Sequence, residues 1–170
     1  MVAGMIRTLD PSQYRDAPWK NGTGTSTTIA EQEGVWQFGR TPIPQGGPFS
    51  DYTGFERRQV LVGGRGLVLR TPDGEIDVRT PFRPVRFAGE TPVVSQLEAG
   101  PVEVVNLIGR RADVEIDLMV LPDGGTFAWH GTPHAVPAGH TLRIDERRQT
   151  ILVLNCGRII VGSVTCVLRS

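Results

Sequence analysis

The chain has 170 residues with balanced charge, 18 Lys+Arg against 18 Asp+Glu, so its formal net charge is zero. A neutral chain lacks the basic face that nucleic-acid phosphates or an anionic membrane surface require, so we expect neither as a partner. The N-terminus has no apolar signal-peptide core, and no stretch reaches the roughly 18 apolar residues of a membrane span. These features predict a cytoplasmic protein that folds as one compact unit.

Short β-prone segments follow one another along the chain, separated by its 21 glycines and 13 prolines. A helical turn is expected at 10–14, after Pro11. Glycines 63 and 64 predict a hairpin that joins strands 59–62 and 66–69, and Pro72-Asp73-Gly74 predicts a second turn. The other predicted strands are 25–30, 35–38, 76–78, 102–108, 114–120, 151–154 and 159–167. About a dozen strands without an amphipathic helix predict an all-β sandwich or closed barrel, because open sheet edges invite aggregation.

A short sequence repeat supports this reading. Residues 88–91 and 138–141 share the pattern Ala-Gly-x-Thr, and apolar strand residues follow each copy. Two copies about fifty residues apart suggest two related β units, although so short a pattern also arises by coincidence.

Cysteine and histidine are too sparse to predict a metal or disulfide site directly. Cys156 and Cys166 lie in apolar segments and are expected to be buried free thiols. Glycine and proline interrupt a helical His-x-x-x-His arrangement, so we expect no metal and no cofactor. A loop that brings the imidazoles together around zinc or iron remains the alternative, and its candidate ligands are His130, His134, His140 and Glu146.

Three clusters could together form a small-molecule site. The only lysine, Lys20, lies in the first, Trp19-Lys20-Asn21-Gly22-Thr23-Gly24. The second is 46–50, and the third is 54–58. A pocket for a small acid needs cationic groups, neutral hydrogen-bonding groups, glycine backbone that a ligand can approach closely, and apolar walls. In the alternative interpretation, without a ligand site, these segments are surface turns, and Glu56 and Arg57 form an exposed ion pair.

These motifs, in this order, resemble the HutD/Ves family of the cupin superfamily. The family pattern reads Trp-Lys-Asn-Gly-Gly-Gly, Trp-Arg-x-Ser-x-Ala, Gly-Pro-Phe-Ser and Gly-x-Asp-Arg. The matching segments are 19–24, Trp36, 47–50 and 54–57, followed by 87–90, 97–101 and 106–111. The chain departs from the pattern at Thr23, Gln37, Gly39 and Glu56, and Arg40 is a candidate to replace the arginine missing at position 37.

The resemblance implies an all-β, cupin-like β-barrel, often built as two lobes, with a boundary expected near 110–125. It associates the HutD branch with histidine utilisation and with a small acidic metabolite that is formylglutamate-like. The Ves branch is associated with environmental stress. No established reaction comes with either branch, and a homodimer is left open.

The sequence therefore predicts a metal-independent protein that binds a small carboxylate and has a sensing or regulatory role. No catalytic residues are assigned. The expected ligand-binding residues are Trp19, Lys20, Asn21, Gly22, Arg40, Phe49, Ser50 and Arg57. Two alternatives stay open. The first is a metal-free isomerase or lyase that uses Lys20 as a base or Schiff-base amine. The second is a protein-interaction module with an exposed apolar patch.

Overall fold

The computed structural model of the chain describes residues 4–18, 24–121 and 125–156, together with the backbone of 159–160 and 163–165. These residues form eighteen strands and one 3-10 turn at Pro11–Gln13. The strands are β1 Met5–Leu9, β2 Arg15–Pro18, β3 Thr25–Gln32, β4 Trp36–Ile43, β5 Gly47–Pro48, β6 Phe55–Gly64, β7 Leu67–Thr71, β8 Gly74–Val78, β9 Val85–Ala88, β10 Val94–Leu97, β11 Val102–Arg110, β12 Glu115–Leu121, β13 Gly125–Trp129, β14 Thr132–Val136, β15 Thr141–Glu146, β16 Gln149–Asn155, β17 Ile159–Ile160 and β18 Ser163–Thr165.

The largest sheet contains β17, β18, β6, β11, β4, β3 and β2 in that order, with β9 paired to β6. A second sheet has the order β5-β10-β7-β8, a third has β1-β15-β16-β12, and β13 and β14 form a hairpin. Within the described part of the chain, all strand pairs are antiparallel except β12 with β16. The prediction of an all-β fold is confirmed, whereas the division into two lobes near 110–125 stays a prediction.

The central strands of the large sheet are apolar on both faces because each face packs against a different layer. Successive side chains of a strand point to opposite faces. In β6, Val60 and Val62 belong to one buried cluster, which also contains residues of β12 and β16. Leu61, between them, belongs to a second cluster with Leu67 and Leu69 of the second sheet. The large sheet therefore separates two apolar layers.

The hairpin predicted at residues 63–65 is wrong. The strands before and after these glycines do form, but β6 pairs with β11 and β9, while β7 pairs with β10 and β8 in the facing sheet. Gly64 and Gly66 have φ angles of +87° and +111°. A Cβ on Gly64 would lie 2.9 Å from the Val102 Cα. The glycines therefore turn the chain across the sandwich, close to another strand, a path that suits residues without a side chain.

Other local predictions are confirmed. Pro11 begins the 3-10 turn, and the Asp10 side chain accepts a hydrogen bond from the Ser12 N–H at 2.8 Å. Turns contain Gly89 and Gly139, one in each copy of the sequence repeat. Cys156 is buried, as expected; Cys166 lies outside the described residues. No helix among the described residues has the length and apolar character needed to cross a membrane.

Candidate functional site

A cavity of about 1100 Å³ opens between the large sheet and the loop that precedes and follows β5. It lies on the same face of the large sheet as the second apolar cluster, further along the strands. On this face of β6, Leu61 lies in that cluster, whereas Gln59 and Arg57 lie at the cavity. On the same face of β11, Val104 lies in the cluster and Asn106 lies at the cavity. The site therefore begins where the inward residues of the central strands become polar.

Arg57 is the most unusual side chain in the cavity lining. It is 6% exposed, and three aromatic rings surround its guanidinium. The Cζ atom lies 5.2 Å from the ring centroids of Phe49 and Tyr52 and 5.0 Å from that of Phe87. Cations within about 6 Å of a ring centroid are attracted to its face. Phe87 lies directly opposite Arg57 across the β6–β9 ladder, which fixes this contact.

No carboxylate among the described residues pairs with this guanidinium, and Arg57 Nε is enclosed without a hydrogen-bond acceptor. Burial lowers the pKa of Arg57, because desolvation disfavours the charged form. Buried charges in proteins are ordinarily paired, because an unpaired one carries a large desolvation cost. Three aromatic faces offset part of this cost, and an anionic ligand in the cavity would offset more.

A pair of amides lies beside Arg57. Gln59, which is 1% exposed, donates from Nε2 to Asn106 Oδ1 at 2.9 Å. The two residues are direct partners in the β6–β11 ladder. Gln59 Oε1 is enclosed and has no hydrogen-bond donor among the described residues. Hydroxyl groups on the far side of the cavity add further polar atoms: Ser26, Thr28 and Thr41.

Several predicted site residues lie around this cavity. Phe49, Ser50 and Arg57 all line it, so two of the three sequence clusters meet there. Trp19, Lys20, Asn21 and Gly22 lie outside the described residues.

Arg40 does not reach the cavity. Its strand neighbours Gly39 and Thr41 line the cavity, and alternation directs Arg40 to the opposite face. There it forms an ion pair with Glu103. It therefore does not take the place of an arginine at position 37, where Gln37 itself faces the cavity.

The alternative prediction, that Glu56 and Arg57 form an exposed ion pair, is wrong. Glu56 pairs with Arg58, with 2.7 Å between Oε1 and Nη1. Arg57 points to the other face and is buried rather than exposed.

Sequence reasoning did not assign Gln59, Asn106 or Phe87 to the site. A signal for the first two was present. Asn106 is an amide within an otherwise apolar strand segment, and Gln59 is an amide at the start of the apolar run 60–62. A buried polar residue at an inward position needs a partner, and it often marks a network or a ligand. Nothing in the sequence indicated that β9 would place Phe87 against Arg57.

The candidate metal ligands are only partly brought together. His130, His134 and Glu146 line a second cavity of about 300 Å³, and His130 Nε2 lies 3.2 Å from a Glu146 carboxylate oxygen. His140 lies elsewhere, with its Nε2 3.4 Å from an Asp10 carboxylate oxygen. Within the described ranges, no group of three or more His, Cys, Asp or Glu side chains is arranged to hold a metal ion.

Gly89 holds the turn that supplies Tyr52 to the site. Its N–H donates to the Phe55 carbonyl at 2.7 Å, and its carbonyl accepts from the Tyr52 N–H at 2.9 Å. A Cβ at this position would lie 2.1 Å from the Tyr52 carbonyl oxygen.

We expect Gly89→Ala to lower the free energy of unfolding by about 3 kcal/mol, because backbone must move to admit the methyl group. Urea denaturation measures the effect. Gly34→Ala is the control: Gly34 has a φ of +75° but open space around it, so only the left-handed backbone strain of about 1 kcal/mol is expected. Equal losses in the two variants would contradict the steric explanation.

Comparison with known sequences identifies relatives. The sequence model of the HutD family matches residues 11–149. A protein of Pseudomonas putida, described as an uncharacterized 21.2 kDa protein in the hutC 3′ region, is 28% identical over 109 residues. The alignment covers 61% of this chain and 57% of that relative. The chain therefore matches little more than half the length of this relative.

Two solved structures share the fold. A conserved protein of unknown function from Pseudomonas aeruginosa PAO1 has a TM-score of 0.66 and 24% identity, covering 85% of this chain and 87% of that chain. HutD from Pseudomonas fluorescens SBW25, in a formate condition, has a TM-score of 0.64 and 20% identity, covering 87% of this chain and 91% of that chain. At these identities the likeness shows a common fold. The cupin-like form of that fold, expected from the sequence motifs, stays a prediction.

Proposed function

Because this chain belongs to the HutD family, whose model covers residues 11–149, we propose that it binds a small carboxylate in the large cavity, with Arg57 as the anchor for the anion. Arginine presents a planar fork of N–H groups that matches the two oxygens of a carboxylate. The single observation that carries the proposal is a buried guanidinium, without an anionic partner among the described residues, at the wall of a cavity of about 1100 Å³.

The surroundings of Arg57 support binding of this kind. Phe49 and Tyr52 flank the guanidinium and restrict it to few orientations, so little side-chain entropy is lost when an anion arrives. The neutral amides and hydroxyls of the lining supply hydrogen bonds for the rest of a polar ligand. Lys20 remains a further predicted cation for the same anion.

The family gives the proposal its metabolic context. A relative is described by its position in the hutC 3′ region, and the HutD branch is associated with histidine utilisation. We therefore place the binding activity in histidine catabolism, where a protein that senses a small acidic intermediate would have a regulatory role. A formylglutamate-like acid is one such ligand. HutD of Pseudomonas fluorescens has a structure in a formate condition, which makes formate a further probe.

Isothermal titration calorimetry and thermal denaturation test the proposal with formate, acetate, glutarate and N-formylglutamate, each beside its neutral methyl ester. We expect at least one acid to bind and to raise the melting temperature, because a ligand that binds only the folded state stabilises it. The matching ester is expected to bind at least about tenfold more weakly, because it lacks the charge that Arg57 pairs with. If no acid binds, or if acid and ester bind alike, the proposal is wrong.

The same samples separate binding from catalysis. The ligand is expected to be recovered chemically unchanged after overnight incubation, as followed by proton NMR. Conversion to a new product would favour the metal-free isomerase or lyase. Borohydride trapping of an adduct on Lys20 would then identify the reactive amine.

A further inference from the structure

We infer that Asn106 is a specificity-determining residue, and that its side-chain amide donates a hydrogen bond to a neutral carbonyl oxygen of the ligand. Gln59 holds Asn106 in place, and Arg57 binds the carboxylate of the same ligand. The inference rests on the proposed function, since it assigns a second contact to the same ligand. The ligand class that it names is a small acid carrying a ketone, amide or ester carbonyl.

The direction of one hydrogen bond sets what Asn106 can offer. Its Oδ1 accepts from Gln59 Nε2 at 2.9 Å, so the acceptor of the Asn106 amide faces its neighbour strand. Its Nδ2 forms no hydrogen bond to any other residue that the structure describes. Asn106 is half-buried and lines the cavity. An amide nitrogen can only donate, so its complement on a ligand is an acceptor oxygen.

Gln59 is placed to keep Asn106 in this orientation. It is 1% exposed and lies on a central strand directly opposite Asn106. Gln59 lies at the cavity wall but is almost fully enclosed, so its amide has little freedom to rotate. Its enclosed Oε1 has no hydrogen-bond donor among the described residues, which costs free energy in the ligand-free protein. An apolar residue here would avoid that cost, so a role in orienting Asn106 explains why a glutamine occupies the position.

The register of the sheet sets the spacing between the two ligand contacts. Ile108 is the residue directly opposite Arg57, and Asn106 lies two residues away on the same face. Diagonal neighbours of this kind have Cα atoms about 7–8 Å apart. Both side chains line the cavity. A ligand whose carbonyl carbon lies three or four bonds from its carboxylate carbon can therefore place the carboxylate at Arg57 and the carbonyl oxygen at Asn106.

Two matched pairs of acids test the inference: 4-oxopentanoate with pentanoate, and 5-oxohexanoate with hexanoate. Each pair differs by one carbonyl oxygen, and the measured quantity is the ratio of the two dissociation constants. We expect Asn106→Leu to reduce the preference of the wild-type protein for the keto acid by about tenfold in at least one pair. The keto acid loses a hydrogen bond, whereas the alkanoate is affected little.

Variants of Gln59 test the positioning role. Gln59→Leu leaves Asn106 in place but frees its amide to turn, so the keto-acid preference is expected to fall by about threefold, part of the full effect. The double variant Gln59→Leu/Asn106→Leu removes both amides together and leaves neither partner unpaired, which guards against misfolding of the single variants. It is expected to show the same ratio as Asn106→Leu. Gln96→Leu, at an exposed position on β10, is the control and should keep the wild-type ratio.

The outcomes separate this inference from the proposed function. If the wild-type protein binds the acids and the ratio is unchanged in Asn106→Leu, the inference is wrong while the carboxylate site stands. An unchanged ratio in Gln59→Leu, with a loss in Asn106→Leu, would overturn the positioning role of Gln59. If the wild-type protein binds none of the four acids and none of the earlier probes, the proposed function is wrong, and the inference that rests on it is wrong as well.

Discussion

Replacement of Arg57 by methionine is expected to abolish carboxylate binding without lowering the free energy of unfolding. A bidentate contact supplies two charge-assisted hydrogen bonds, each worth about 1.5–3 kcal/mol, so the dissociation constant should rise by at least about 100-fold. Methionine keeps an apolar body of similar length against the rings of Phe49, Tyr52 and Phe87. Because a buried charge without a partner destabilises the fold, its removal should leave stability equal or higher.

Calorimetry of Arg57→Met beside Arg58→Met checks this result. Arg58 is the adjacent residue, but it faces away from the cavity and pairs with Glu56 at 2.7 Å. Its replacement should leave ligand affinity unchanged. Equal losses in both variants, or wild-type affinity in Arg57→Met, would remove Arg57 from the site.

The pH dependence of binding follows from the same contact. Burial lowers the pKa of Arg57, and a base whose pKa is lower in the folded than in the unfolded state destabilises the fold while it is protonated. That cost is present below the folded-state pKa and is relieved only as the pH rises through it, so it does not change near neutrality. Ligand carboxylates have ordinary pKa values of about 4. Affinity should therefore be constant near pH 7 and fall about tenfold per pH unit once the carboxylate becomes protonated.

The second large effect is expected in the core. Phe38 is fully buried on β4, in the apolar cluster that joins the large sheet to β12 and β16. Phe38→Ala should lower the free energy of unfolding by about 3–5 kcal/mol, because it removes apolar contacts and leaves a cavity. Urea denaturation measures the loss. Val94→Ala is the control, since Val94 is 49% exposed and its truncation should cost no more than about 0.5 kcal/mol.

Phe38 also tests whether core and site act together. Its neighbours Gln37 and Gly39 face the cavity, so loss of packing beneath β4 reaches the cavity wall. Phe38→Leu, which conserves most of the volume, should lose less stability than Phe38→Ala and keep ligand affinity. A Phe38→Ala variant as stable as the wild type would contradict the assignment of this cluster as the core.

The sequence predicted most of the strands because its signals are local. Alternating and β-branched segments placed β3, β11, β12 and β16, and Pro72-Asp73-Gly74 placed the turn between β7 and β8. The motif at 54–57 indicates Arg57 as a candidate cation from the sequence alone. Local patterns, however, do not say which strands pair. The glycines at 63–66 have the composition of a hairpin turn but carry the chain between facing sheets.

The sequence by itself determined that this chain is an all-β protein with HutD motifs and a candidate anion-binding arginine. Only the tertiary structure decided which alternate residues of the central strands face the cavity. Period-two alternation distinguishes two faces, but what lies across each face depends on contacts between distant segments. The partnership of Gln59 with Asn106 and the position of Phe87 against Arg57 depend on the register between strands far apart in the chain. The pairing of β4 in the sheet sets which of its faces meets the cavity, and alternation then directs Arg40 away from it, although Arg40 is adjacent in sequence to residues that line it.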